Sequence, residues 1–419
     1  MVATLTRIFG ASRLDLVEDV VQEALVRALR QWSLRGVPAD PSAWLFRVAR
    51  NAALDALRRD ATARDAAERE SLAEKERALD AWRAEALART SESDLALLPE
   101  SLRDDQLRMI FACCHPAIGE DGRIALTLKT LGGFGVPEIA RALLAKEQTI
   151  AQRIVRAKRR IREERIELEL PEPDELPPRL DSVLQVVYLT FNEGYAAHRG
   201  AELVRADLVR EALRLGSLLA QSPATDAPRV HALLALMLFG AARLPARVDT
   251  SGELLLLEHQ DRSLWDAELT RRAVVHLARA GRGDELSLYH VEAGLAACHA
   301  LAPSWEATDW PRILAWYDLL VRATPSPVAR LNRAIAVAMV AGPAAGLAAL
   351  AEVERHRALA GYYLLPATRG ELLRRAGDTD GAAAAFRRAL ALECTEPERR
   401  FLERKLAACV SRPTPPGGT

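Results

Sequence analysis

The sequence predicts an all-α protein, and three observations favour this fold class. Ala, Leu, Arg and Glu dominate the composition, whereas β-branched residues are sparse and aromatic residues make up 5%. Apolar residues recur at helical spacing. The 22 prolines and 23 glycines interrupt long runs at intervals, as they do between helices. A chain of 419 residues is long enough for two or three domains, each with its own core.

The formal net charge of zero conceals an uneven distribution of charge. Residues 141–165 contain nine Lys or Arg against three Glu, and a partner responds to such local charge. The N-terminus lacks a signal-peptide pattern, and the longest apolar run, residues 233–239, is too short to span a bilayer. Five cysteines without framework spacing argue against structural disulfides. We therefore expect a soluble, cytoplasmic protein.

The first segment, residues 1–62, contains a helix with one apolar and one acidic face. The apolar stripe consists of Val17, Val20, Val21, Ala24, Leu25 and Ala28. The opposite side carries Asp15, Glu18, Asp19 and Gln22. The stripe predicts a buried face, and the acidic side is either a solvated surface or a surface for a partner.

A second helix of this segment is expected to begin near Ser42, after a loop that contains Pro38 and Pro41. Its core stripe consists of Leu45, Val48, Ala49 and Ala52, and another face carries Arg47, Asn51 and Arg58 beside Trp44. Cations, an amide and an aromatic ring in one place suit a single nucleic-acid strand. Trp44 could instead anchor the core.

Residues 60–105 hold thirteen acidic and seven basic residues, which predicts an acidic helical linker over residues 63–104. Such a connector could lie in a basic channel of a partner or shield a basic helix. Residues 107–118 are expected to form a buried helix that stops at Pro116. Within it, Cys113, Cys114 and His115 could suggest metal or redox chemistry. The cysteines are instead interpreted as core residues, because adjacent helical side chains diverge by about 100° and no further zinc ligand follows at a suitable spacing.

A helix-turn-helix is predicted over residues 134–164, with a turn at Leu144 and a basic second helix. Ile150, Ile154, Ala157 and Ile161 recur on one face of that helix. The opposite face carries Thr149, Gln152, Arg153, Arg156, Arg159 and Arg160. One face can therefore pack against the protein while the other meets phosphate, although a basic helix end can also be simply solvated.

The two helices of residues 1–62, followed by this helix-turn-helix within residues 105–166, resemble regions two and four of bacterial RNA polymerase sigma factors of the extracytoplasmic-function (ECF) group. The resemblance implies that the acidic helix docks on core RNA polymerase through Asp19, Gln22 and Glu23. It also implies that the second helix and the preceding loop engage the melted −10 promoter element, through Asp40, Trp44, Arg47, Asn51 and Arg58.

The resemblance further implies that the helix-turn-helix enters the major groove of the −35 promoter element. Thr149, Gln152, Arg153 and Arg156 would lie nearest the bases or phosphates, and Lys158, Arg159 and Arg160 would contact the backbone. Arginine and glutamine are suited to bidentate base contacts.

A proline-rich acidic linker over residues 167–180 separates this part from a predicted C-terminal helical domain, residues 181–419. A weak repeat of 35 residues aligns Gly377 with Gly342, Gly381 with Gly346 and Phe386 with Ala351, and a further shift reaches Trp316. The repeat predicts tetratricopeptide-like helical hairpins, whose concave face commonly binds a protein or peptide.

The C-terminal domain begins with a helix that includes Phe-Asn-Glu-Gly-Tyr, residues 191–195. This run resembles the opening of the large C-terminal region in a sigma-factor subgroup with tetratricopeptide-like extensions. Asn192, Glu193, Tyr195 and His198 form a candidate polar cluster. It could bind a ligand, or it could be a helix end capped at Gly194.

Together these features predict a transcription initiation factor that binds core RNA polymerase and promoter DNA, with a C-terminal domain that regulates it or binds a protein or peptide. No catalytic constellation, metal site or cofactor is predicted, so we do not expect an enzyme. The alternative is a helical-repeat sensor whose helix-turn-helix makes it a conventional repressor or activator. The first sixty residues distinguish the two, since a repressor needs no polymerase-docking helix.

Overall fold

A computed structural model describes residues 1–61, 100–143, 145–195, 205–247, 255–324, 326–394 and 396–410. The described residues form helices and turns without a β-strand, which confirms the all-α prediction. They divide into two compact units, residues 1–189 and residues 190–419. The predicted acidic linker (all but its last residues), the Leu144 turn and His198 lie outside the described residues.

The first unit contains seven α-helices among its described residues and most of an eighth. They are α1 Val2–Phe9, α2 Leu14–Arg35, α3 Pro41–Ala61, α4 Glu100–Cys113, α5 Glu120–Thr130, α6 Val136–Ala142, α7 Glu147–Glu163 and α8 Leu176–Tyr195. Helix α8 begins inside the predicted 167–180 linker and supplies residues to both units.

The second unit continues with ten α-helices among its described residues. They are α9 Ala206–Gln221, α10 Pro228–Ala242, α11 Ala267–Ala280, α12 Leu288–Ala300, α13 Trp310–Ala323, α14 Pro327–Ala341, α15 Pro343–Val353, α16 Leu364–Arg375, α17 Thr379–Leu390 and α18 Glu396–Val410. From α13 onward, each helix packs on the helix that precedes it.

Helices α1, α2 and α3 share one apolar core, which includes Leu5, Phe9, Val17 and Phe46. The stripe predicted on α2 is buried in this core except at Leu25, whose side chain is 42% exposed. Leu25 was wrongly included, because it lies at the edge of the apolar stripe, where tertiary packing decides whether a side chain is covered.

Helix α4 is buried as predicted, although it ends at Cys113, three residues before Pro116. Cys113 and Cys114 are 0% and 1% exposed, so both lie in the core. The first half of α8 closes this region from outside. Ser182 Oγ donates to the Cys114 carbonyl oxygen over 3.0 Å, and Arg179 Nη2 donates to the Phe111 carbonyl oxygen over 3.1 Å.

Helix α10 is an apolar and largely buried helix of the second unit, and α9, α11 and α12 pack around it. Together with the short turn that follows, Pro228–Ala246 is long and apolar enough to cross a membrane, by length and composition alone. Because 67% of its most apolar window is buried inside the protein, this segment is better described as the central helix of a core.

The Phe-Asn-Glu-Gly-Tyr run does not end its helix with a glycine cap, as the sequence suggested. Helix α8 continues to Tyr195, and a Cβ on Gly194 would lie 2.8 Å from the Val209 nitrogen. The Gly194 carbonyl oxygen accepts a hydrogen bond of 2.7 Å from the Arg205 N–H. Glycine is therefore required here by the close approach of the start of α9.

Candidate nucleic-acid interface

Helix α7 has the two faces that its sequence predicts. Ile150, Ile154, Ala157 and Ile161 are 0–6% exposed and pack toward α5 and α6. Gln152, Arg156, Arg159 and Arg160 are exposed, and Thr149 is half-buried. The exposed arginines are held along the helix, since Arg159 pairs with Glu163 over 2.6 Å and Arg160 with Glu164 over 2.9 Å. Burial of one face thus fixes which side chains the other presents.

Helix α6, which precedes α7, is capped at its N-terminus. The Gly135 N–H donates to Glu138 Oε2 over 2.6 Å, and Pro137 occupies the first turn, where no intrahelical donor is needed. The arginine side of α7 and the start of α5 line a cleft of about 640 Å³, in which Arg153, Arg156 and Arg160 are the cations. The cleft gives an anionic partner access to α7.

Two of the predicted DNA contacts are engaged within the protein. Arg153 Nη2 lies 2.6 Å from Asp121 Oδ2, and its side chain is 23% exposed. The Lys158 side chain is only 11% exposed. Arg153 and Lys158 are therefore less exposed to solvent than Arg156. Either residue could contact DNA only if the DNA replaced its carboxylate partners within the protein.

Lys158 belongs to an ionic cluster that joins α7 to α2. Its Nζ lies 2.7 Å from Asp15 Oδ1 and 2.8 Å from Glu18 Oε2, and Arg162 Nη1 lies 2.7 Å from Asp15 Oδ2. Thr130 Oγ1 also donates to Glu18 Oε1 over 3.2 Å. We call Asp15, Glu18, Lys158 and Arg162 the α2–α7 clasp.

The clasp alters the protonation equilibria of its members. Burial raises the pKa of Asp15, but hydrogen bonds from Lys158 and Arg162 outweigh this effect, and the pKa is lowered from its usual value. Burial lowers the pKa of Lys158, but hydrogen bonds from Asp15 and Glu18 outweigh it, and the pKa is raised. Both groups therefore remain charged across the neutral pH range.

The remainder of the α2 surface is open and partly apolar. Asp19, Gln22 and Glu23 are exposed, and Glu23 pairs with Arg27 along the same helix. Beside them, Val26 is 44% and Leu29 is 76% exposed. The sequence analysis missed this apolar component. Its signal was present, because Val26 and Leu29 lie on the acidic side of the helical wheel.

Helix α3 begins one residue earlier than predicted, and Asp40 is its cap, since Asp40 Oδ1 accepts the Ala43 N–H over 2.8 Å. Arg47, Asn51 and Arg58 are exposed on the helix. Trp44 is half-buried, and its ring packs edge-on against Trp32 with centroids 5.4 Å apart. The tryptophan is thus supported from inside while part of it remains accessible.

The polar cluster of the second unit contacts residues that the sequence analysis missed. Tyr195 stacks on Phe191 with centroids 5.6 Å apart, and the Arg247 guanidinium lies 4.2 Å from the Tyr195 ring centroid. Asn192 and Glu193 are half-buried on the same helix. Near Tyr195, Arg243 contacts the Trp265 ring. These arginines come from segments distant in sequence, so no local spacing could have revealed them.

Family comparisons match both parts of the first unit. The description "Sigma-70 region 2" matches residues 2–62, and "Sigma-70, region 4" matches residues 108–161. A family of unknown function, DUF6596, matches residues 179–281. No solved structure matches the chain. The two sigma-70 regions, in this order, define the class of bacterial transcription initiation factors.

Individual relatives narrow this class. The chain is 34% identical to the ECF RNA polymerase sigma-E factor of Escherichia coli (strain K12) over an alignment of 151 residues. This alignment covers 35% of the chain and 71% of the relative. The chain is also 39% identical to an uncharacterized protein of Rhizobium meliloti (strain 1021) over an alignment of 402 residues. This alignment covers 96% of the chain and 91% of the relative. The chain belongs to the ECF sigma factors, and it directs transcription initiation.

Family membership confirms the predicted resemblance and favours a sigma factor over a conventional repressor or activator, since region 2 is present. It implies core RNA polymerase and promoter DNA as partners. Sigma factors generally act by binding rather than by catalysis. Among the described residues, no group of three His, Cys, Asp or Glu side chains could hold a metal ion.

Proposed function

We propose that α7 reads the −35 promoter element, that α3 captures the melted −10 strand, and that α2 docks on core RNA polymerase in the cytoplasm. The observation that carries the α7 assignment is its division into a buried isoleucine face and an exposed face with Gln152 and Arg156. Glutamine and arginine read base edges by paired hydrogen bonds, and the flanking arginines neutralise phosphates.

Docking on the polymerase would use the open part of α2. Gln22, Glu23 and Leu29 combine polar and apolar exposed surface, as protein interfaces with an apolar core and a polar rim do. On α3, the half-buried Trp44 lies beside exposed Arg47 and Asn51, a set that can stack on a base and bond its edge.

The α2–α7 clasp supports a closed state of the free factor. It holds the DNA-reading helix against the N-terminal end of the polymerase-docking helix through three contacts of 2.7–2.8 Å. Binding of polymerase to α2 and binding of DNA to α7 would both compete with these ion pairs. In this role Asp15 and Glu18, rather than the acidic linker alone, neutralise the basic helix.

The C-terminal unit is proposed to be a tetratricopeptide-like scaffold that regulates the factor or binds a protein or peptide. Two glycines 35 residues apart, Gly342 and Gly377, have φ values of 88° and 89° and end helical segments. Aromatic rings also pack on glycines in a repeated manner, Trp316 on Gly294 and Phe386 on Gly370. These recurrences support stacked helical hairpins.

The α7 assignment is tested by in vitro transcription with Arg156→Ala. We expect promoter-specific transcription to fall about fivefold or more, since one bidentate or phosphate contact contributes ~1–3 kcal/mol. Binding to core polymerase should be unchanged. Arg271→Ala is the matched control, because Arg271 is an exposed helical arginine of the second unit that pairs with Glu268. Equal losses of transcription and polymerase binding would show that the DNA face lies elsewhere.

A further inference from the structure

The second unit contains two half-buried arginines around one buried tryptophan. The Arg262 guanidinium carbon lies 4.5 Å from the Trp265 ring centroid, and that of Arg243 lies 5.5 Å from it. The Asp266 N–H donates to the Ala242 carbonyl oxygen over 2.9 Å, which fixes the Trp265 segment beside the end of α10. The cluster is therefore part of the framework of the unit.

Arg262 is held rigidly from one side. Its Nη1 donates to the carbonyl oxygens of His299 and Ala302, over 2.7 and 2.8 Å. Its other terminal nitrogen, Nη2, is buried and has no hydrogen-bond partner among the described residues. The two carbonyl contacts thus orient a guanidinium that retains an unused donor.

Further donors around the same ring are also unused. Arg243 Nε and Trp265 Nε1 are buried without a partner among the described residues, and Trp265 as a whole is only 9% exposed. His299 Nδ1 is likewise buried and unpartnered in the part of the chain that the structure describes. Buried polar groups are almost always satisfied, so several unsatisfied groups in one place indicate a bound species that completes the site.

The cluster carries excess positive charge. Within the described ranges, no carboxylate forms an ion pair with Arg243, Arg247 or Arg262. Burial lowers the pKa of Arg262, and the nearby Arg243 charge lowers it further, whereas the Glu306 carboxylate raises it by less than Arg243 lowers it. Water could satisfy the donors, but it could not offset the repulsion between two guanidinium groups.

We propose that Arg243, Arg262 and the Trp265 indole form a binding site for a phosphoryl oxyanion in the C-terminal unit. The unused donors of two arginines suit a phosphoryl oxyanion, because guanidinium groups bind phosphate oxygens through charge-assisted hydrogen bonds. Two cations beside one ring favour a dianion. Arg243 interacts electrostatically with Tyr195, the last residue of α8, so the ligand would act near the end of that helix.

The proposal is tested by calorimetric titration of the full chain with inorganic phosphate in a chloride buffer. Arg243→Gln should weaken phosphate binding at least tenfold. Arg369→Gln is the matched control, because Arg369 belongs to the same unit and pairs with Glu354 over 2.8 Å. Arg156→Gln tests whether the basic helix α7 accounts for the binding, and it should leave the affinity of the site unchanged.

A second variant keeps the test independent of the folding of Arg243→Gln. Trp265→Phe removes the indole N–H but retains a ring, and it should weaken phosphate binding several-fold. Phosphate affinity unchanged in Trp265→Phe and in Arg243→Gln, or lost only in Arg156→Gln, would overturn the proposal. Phenyl phosphate distinguishes the source: tighter binding than that of inorganic phosphate supports an ester ligand, and equal binding supports free phosphate. No outcome depends on transcription.

Discussion

At two glycines of the second unit, Gly294 and Gly370, the packing leaves no room for a side chain. A Cβ on Gly294 of α12 would lie 2.6 Å from the Trp316 ring, and one on Gly370 of α16 would lie 2.9 Å from the Phe386 ring. At both places an aromatic ring occupies the space that a side chain would need. The glycine therefore sets the distance between two helices.

Gly294→Ala is expected to destabilise the chain by about 1–3 kcal/mol, because the added methyl overpacks the contact with Trp316 by more than alanine gains in helix propensity. Denaturant unfolding of the full chain measures the change. Gly281→Ala is the matched control, since Gly281 has a φ of −75° and the heavy atom nearest to an added Cβ would lie 3.8 Å away. Equal midpoints for the two variants would contradict the packing argument.

His299 is expected to make the stability of the second unit pH-dependent. Burial, and then the charges of Arg243 and Arg262, lower the pKa of His299 to about 4. Between pH 6.5 and 4 the unfolded chain binds a proton that the folded chain does not, so the free energy of unfolding falls as the pH falls. The total loss from this group is up to about 3 kcal/mol.

His299→Gln should remove this part of the pH dependence. Unfolding free energies measured from pH 7 to pH 4, in buffers without phosphate, should fall less steeply for the variant than for the original chain. His276, whose pKa is also lowered to about 4, is present in both proteins and cancels in the comparison. Parallel pH profiles would show that His299 is accessible to protons in the folded state.

At the scale of single residues, sequence reasoning succeeded where the cause was local. The buried positions of α7 follow from a spacing that any helix imposes, and Ile150 and Ile161 are buried accordingly. It could not predict the pairing of Arg153 with Asp121, which depends on how α5 packs on α7. The placement of Leu25 also depended on tertiary packing, since it lies at the edge of an apolar stripe.

Helices α2 and α7 contain the proposed polymerase-docking and DNA-reading surfaces, and the α2–α7 clasp connects them. Lys158 and Arg162 are four residues apart on α7, and Asp15 and Glu18 are three apart on α2, so each pair shares a helix face. Both spacings are visible in the sequence. Their pairing was not predictable, because about 140 residues separate them and nothing local specifies which faces meet.

Glu18→Gln is expected to open the clasp. Loss of one charge-assisted hydrogen bond to Lys158, at a glutamate only 13% exposed, should cost about 1–2 kcal/mol of stability in the first unit. The affinity of the free chain for promoter DNA should rise several-fold, because Lys158 no longer has two carboxylate partners. Fluorescence anisotropy with a labelled promoter fragment at fixed salt measures the affinity.

Glu23→Gln is the matched control for this experiment. Glu23 lies on the same helix and is exposed, but it pairs with Arg27 of α2 rather than with α7. Both variants change the net charge by one, so a nonspecific electrostatic effect would raise the DNA affinity of both equally. Such an equal rise would contradict the role of the clasp, whereas a rise in Glu18→Gln alone supports it.

The whole molecule joins a sigma factor of two regions to a larger helical unit. Composition and periodicity were sufficient to predict the helical fold class, since helix formation follows local patterns. The boundary between the two units was harder to predict from the sequence. The proline-rich stretch suggested a boundary over residues 167–180, but α8 begins within it and the units divide after Leu189. Hydrogen bonds from Arg179 and Ser182 to the carbonyl oxygens of Phe111 and Cys114 hold that half of α8 in the first unit.

This division determines how the regulatory role of the second unit should be tested. A chain ending at Glu175 would lose Arg179 and Ser182, whose hydrogen bonds satisfy the end of α4. It should therefore unfold at a lower denaturant concentration than a chain ending at Leu189.

The chain ending at Leu189 should keep its binding to core polymerase, while its promoter-specific transcription should differ at least fivefold from that of the full chain. Transcription equal to that of the full chain, with intact polymerase binding, would contradict a regulatory second unit. Loss of polymerase binding by the chain ending at Leu189 would instead show that the second unit contributes to docking.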